Sequence, residues 1–161
     1  MFDMMQAGRP PRKGAGPGEY RYVRLAILIG PQYTTLGELE IRSEAGGTNW
    51  CREPGTIASA SGNWGAPYSP AGMIDGRNVT DTNSSWCVAD TNQPNSNRTC
   101  WWQVDLNQPR LINSVRLAVP DFGGRNPSSI VVLGSNDNLE WIDLSVKTGL
   151  TWTSLVFKEL M

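Results

Sequence analysis

The residues best suited to chemistry are aromatic rings and amides set in turns. Trp64 and Tyr68 lie in one polar stretch, Asn95 and Asn97 in a second, and Arg125 with Asn126 in the turn DFGGRNP. Sugars are held by ring faces stacked on aromatics and by forked polar groups at their hydroxyls, so this mixture suits a carbohydrate. The competing reading of Trp64 and Tyr68 is structural, as plugs for the bottom of the fold. Trp86 is open between the two roles. For Trp101, Trp102, Trp141 and Trp152 packing is the favoured role, because strand aromatics usually pack.

Residues for catalysis are scarce. The chain has no His, which removes the commonest general base and the usual transition-metal ligand. Glu38 and Glu40, two apart on one strand, could resemble the carboxylate pair of a glycoside hydrolase, yet neither has an acid facing it across a cleft. No Ser or Cys has a candidate base, and no glycine-rich loop opens a helix. Cys51, Cys87 and Cys100 form no CxxC pair. Cys87 and Cys100 flank an Asn-, Thr- and Pro-rich loop, and either a disulfide or free thiols fits that spacing. The expectation is a protein that is not an enzyme.

Charge is balanced, with 14 Lys+Arg against 15 Asp+Glu, so no basic field exists to hold nucleic acid or an anionic membrane. No segment reaches the roughly 20 apolar residues that would span a bilayer, and the N-terminus has no apolar core of signal-peptide type. The three Asn-x-Ser/Thr sequons at Asn78, Asn83 and Asn97 reflect a composition rich in those residues.

The elements that must position these residues are short strands. Alternation marks Tyr20 to Ile29, with Val23, Leu25 and Ile27 on one face and Tyr22 and Arg24 on the other. Further strands are expected at Leu36 to Arg42, Thr56 to Ala60, Trp101 to Leu106, Ile112 to Val119, Ser129 to Gly134, Trp141 to Val146 and Thr153 to Lys158. About eight short strands separated by Gly, Pro and Asn predict an all-β fold, a single sandwich over 20–161 behind a flexible arm at 1–19. Two long polar loops, Ala66 to Trp86 and Val88 to Thr99, are where a β-scaffold usually carries sites.

From Thr56 onward IASASGN, the turn Met73-Ile74-Asp75-Gly76, WWQVDL, INSVRL and VVLGSNDNLEW follow in an order that resembles discoidin, or coagulation-factor C-type, domains. The resemblance implies a galactose-binding-like jelly roll. YRYVRL and GELEIR, which normally finish such a domain, stand first here, so the order resembles a circular permutation of the kind found in bacteriophage tail modules. The alternative is that residues 20–42 complete a neighbouring subunit by strand exchange.

Asp75 to Cys87 is most similar to the loop of F-type, fucose-binding lectins. That similarity implies a structural Ca2+ held by Asp75, by main-chain carbonyls near Gly72, Arg77 and Cys87, by Ser85, and by Glu38. The competing reading is an Asx-turn at Asp75 and a solvated Glu38. It also implies ligand contacts from Asp121 and Arg125, whereas Val119 stands where the lectins have an Arg and Ala89 lies near their missing His. Fucose specificity is therefore not carried over.

Together these features point to a tail fibre or baseplate component of a virion, attaching to a host-surface glycan and docked to other virion proteins through its arm, as a homo-oligomer or part of a larger assembly. A purely structural or capsid-decoration role and a cellular carbohydrate-binding module are the other readings.

Overall fold

The computed structural model describes residues 18–89 and 98–161. Among them are ten strands and three short 3-10 turns, with every strand pair antiparallel. The chain is an all-β sandwich, as the alternation predicts. One layer is a five-stranded sheet in the order β4 (Ile57–Ala60), β6 (Trp101–Ile112), β1 (Gly18–Ile29), β8 (Ser129–Ser135), β9 (Ile142–Lys147). The other is made of β10 (Lys158–Glu159), β7 (Ser114–Leu117) and β3 (Leu39–Arg42), with the ribbon of β2 (Tyr33–Leu36) and β5 (Trp86–Ala89) beside it.

β1 is central, bonded to β6 on one side and β8 on the other within its own chain. Val23, Leu25 and Ile27 point into the core with Trp102, Val104, Ile130 and Val132, against Leu39, Ile41, Val115 and Leu117 of the facing layer. Tyr20 joins this core although it lies three residues before Val23. A register shift between Tyr20 and Tyr22 inserts the odd residue that turns both toward the same face.

The outer face of the sheet is not simply polar. Ala26, Val131 and Leu133 are buried there under Trp101 and Trp141, and the Arg24 guanidinium lies between those two indoles, 4.1 and 3.9 Å from their centroids.

The structure redraws four of the expected boundaries. β1 starts at Gly18, two residues inside the expected arm. Leu36 to Arg42 is two strands with different partners, because Gly37 breaks the run: its N–H donates to the Ala118 carbonyl at 3.0 Å, and a Cβ there would meet that oxygen at 2.7 Å. Thr153 to Lys158 is mostly a turn, with Leu155 at φ +60° and its N–H on the Val119 carbonyl, so only the last pair of strand residues is extended. Trp86–Ala89 is a strand inside a stretch expected to be loop.

β1 also sets the poles of the molecule. Gly18 is opposite Ile112, and Leu160 and Met161 bond Val115, so both ends of the described chain lie at one pole. Twelve residues of strand, roughly 35–40 Å, carry the backbone to the other pole, where the loops after Ile29, Ala60 and Leu117 converge.

Candidate functional site

Those converging loops build an aromatic rim. Trp64 is the centre. Its backbone N–H donates to the Cys87 carbonyl at 2.7 Å, and the loop is held from beneath by the Trp86 indole N–H on the Gly62 carbonyl at 2.8 Å. With its backbone fixed, the Trp64 side chain stays 43% exposed. Tyr33 meets it edge-on at 5.2 Å, and Tyr68 lies at 5.5 Å on another side. Tyr68 touches Phe122 at 6.3 Å and is only 7% exposed. Tyr68 is therefore packed, whereas Trp64 is half-exposed.

Arg125 arrives on a tight turn. Gly123 and Gly124 both have positive φ, +64° and +72°, which residues with a Cβ seldom adopt. Asp121 accepts the Gly123 N–H, and the Arg125 carbonyl accepts the Thr35 N–H at 2.7 Å. This bends the chain back and sets the Arg125 guanidinium 5.8 Å from the Tyr33 ring and 5.6 Å from Trp64. Such cation–ring contacts hold a long side chain in place while leaving its N–H groups at the ring edges.

Of the expected ligand residues, Trp64, Tyr68 and Arg125 are therefore brought together. Asp121 is exposed on the same turn. Asn126 is half-buried, and its Oδ1 is buried without a hydrogen-bond partner. Asn95 and Asn97 lie outside the described residues. Tyr33 and Phe122 were not singled out in sequence. Tyr33 is separated from Trp64 by thirty-one positions, and only the pairing of β2 with β5 places them side by side. Val119 is fully buried, so the position matching a lectin Arg belongs to the core.

The proposed calcium ligands are arranged differently. Glu38 is 2% exposed, and its Oε1 is taken by the guanidinium of Arg52, which also donates to the Ile74 carbonyl. Burial pushes the Glu38 carboxyl up to about 7 against the positive charge of Arg52, with the negative charge of Asp75 adding to the rise. Asp75 Oδ1 accepts the Arg77 N–H at 2.7 Å, the Asx-turn that needs no metal. Ser85 donates to the Asp81 carbonyl at 2.9 Å, and the Cys87 carbonyl is used by Trp64. Among the described residues no three acidic, Cys or His side chains gather as a cation site. Arg52 and the Arg77 N–H thus take one oxygen each of Glu38 and Asp75, while Glu38 Oε2 is buried without a hydrogen-bond partner. Gly76, at φ +93°, lets Arg52 lie against it, since a Cβ would come 3.0 Å from that guanidinium.

Two of the thiols, Cys51 and Cys87, are not poised for chemistry. Cys51 and Cys87 are free thiols, and all three cysteines are buried. Burial pushes Cys51 up to about 12 and also raises Cys87. Thiols held protonated are poor nucleophiles.

Residues 57–159, well over half the chain, match the family model of the F5/8 type C domain. The chain belongs to this family. F5/8 type C domains are binding domains, generally non-catalytic, and the family suggests a carbohydrate-binding-like module. The match begins at β4, so β1, β2 and β3 lie outside it, although β1 is the middle strand of the F5/8 type C sheet. No curated protein and no solved structure matches the chain.

Proposed function

We propose that this F5/8 type C domain is a non-catalytic carbohydrate-recognition module of a bacteriophage tail, attaching the particle to a host-surface glycan. The observation that carries the recognition is the Arg125 guanidinium stacked against Tyr33 and Trp64 on a half-exposed ring, at the pole opposite Gly18 and Met161. A module tethered at one end and reading sugars at the other needs that polarity. The tail setting is supported by strand order alone, since the strands that would usually close such a domain come first. In this reading residues 1–17, ahead of β1, dock to other virion proteins.

Structural assembly within the same particle is the second reading. It is favoured by the rings spending edges on one another and by the loss to the core of the position at Val119.

A glycan array probed with the full chain and with Trp64→Ala separates the two. Recognition predicts saturable binding of a defined glycan set, lost in the variant, and competition by the free protein with phage adsorption. Absence of any glycan binding at millimolar protein, with adsorption unaffected, overturns recognition in favour of assembly.

A further inference from the structure

The arginines of the described chain are, with one exception, committed. Arg21, Arg42, Arg52, Arg77, Arg98 and Arg116 each pair with a carboxylate. Arg24 donates twice to the Gln103 side-chain oxygen, and Arg110 meets that of Gln108 while lying over Trp50. Arg125 is the exception: among the described residues its guanidinium has ring contacts and no acceptor.

Among the described residues its surroundings do not supply one. The rim segments 30–33 and 61–69 contain no charged residue, and 121–126 contains only Asp121 besides Arg125 itself. Asp121 turns an oxygen to the Gly123 N–H at 3.4 Å instead of pairing with Arg125. A guanidinium is a planar fork of five N–H donors whose geometry matches a carboxylate in bidentate fashion. The contacts with the two rings leave that fork unmatched among the described residues. A neutral diol would meet the fork with hydrogen bonds alone, whereas a carboxylate matches it bidentately and adds the attraction of opposite charges.

We infer that the rim takes an acidic sugar, a hexuronic acid residue whose carboxylate is held by the fork of Arg125 while its ring lies on Trp64. This rests on the carbohydrate-recognition reading and adds the ligand class to it. The carboxylate meets N–H donors directly, and no covalent step is involved.

The test uses the full chain and oligogalacturonate, its carboxyl-reduced neutral form, and a sulfated version of that neutral form, with affinity read by calorimetry. The expected result is at least tenfold tighter binding of the uronate than of the reduced form, weakening as salt rises. Arg125→Gln should erase that preference while leaving residual binding to both, and Arg125→Lys should restore part of it. Circular dichroism of each variant confirms the fold. Equal affinity for the uronate and reduced forms overturns the acidic-sugar inference while recognition stands. Equal or tighter binding of the sulfated form overturns the carboxylate in particular. If these sugars and the glycan array are all negative, the inference and the recognition reading fail together.

Discussion

The Arg125 guanidinium lies 5.6 Å from the centre of the Trp64 ring, and nothing else among the described residues uses its N–H groups. Arg125 and Trp64 come from loops about sixty residues apart. Each loop is fixed by backbone bonds to the β2–β5 ribbon, Trp64 to Cys87 and Arg125 to Thr35, so the ribbon sets their spacing.

Trp64 and Tyr68 should separate stability from binding. Tyr68 is buried, so Tyr68→Ala should cost about 3 kcal/mol in denaturant unfolding. Trp64→Ala, at a half-exposed ring, should cost less than about 1 kcal/mol and still remove glycan binding. Equal destabilisation by both would assign Trp64 to packing.

Arg52 should replace a metal. With Arg52 bonded to Glu38 and the Ile74 carbonyl, the melting temperature of the wild type should be the same in EDTA and in excess calcium. Arg52→Ala should destabilise by roughly 2 kcal/mol, below the range for a fully buried pair because the Arg52 side chain is partly exposed. A melting temperature that falls in EDTA would show an occupied cation site.

Glu38 should make stability fall toward neutral pH. Its folded value of about 7 lies above its ordinary 4.5, so between the two the folded state keeps a proton that the unfolded state releases. The contribution is full below about pH 4.5 and is lost as pH rises through 7, on the order of 3 kcal/mol in all. Glu40, Asp81, Asp105 and Asp137 are held below their ordinary values, so their contributions are lost as pH falls in the acid range. Chemical denaturation across pH 3 to 9 should show both limbs, and Glu38→Gln should flatten only the upper one.

Tyr20 and Gly134 should be coupled. A Cβ on Gly134 would lie 2.7 Å from the Tyr20 ring, so Gly134→Ala should destabilise by about 2 kcal/mol. In a Tyr20→Ala background that cost should nearly vanish. Additive effects would mean that Tyr20 does not pack on β8.

Much of this was legible before any coordinates. Alternation in Tyr20 to Ile29 gives the inward face of β1 directly, because one buried face of a strand enforces a period of two. Trp64, Tyr68 and Arg125, singled out because rings and forked polar groups suit a sugar, are brought together at one pole. Tyr33 was not singled out, since it sits in a four-residue strand whose neighbour, WCVA, shows no alternation against a polar loop. Arg52 was missed for a similar reason. Its role depends on Glu38, fourteen residues back on another element, and no local pattern marks a long-range ion pair.

The central claim, that the rim around Trp64 is the binding surface, is tested most directly by following the tryptophan indole N–H resonances during titration with oligogalacturonate, Trp64 being assigned from the Trp64→Phe spectrum. The predicted result is a saturable shift of the Trp64 signal, while Trp86 and Trp102, buried and bonded to the Gly62 and Pro70 carbonyls, stay in place. Saturable shifts at Trp101 and Trp141 with Trp64 unmoved would put binding on the outer face of the five-stranded sheet and contradict the account.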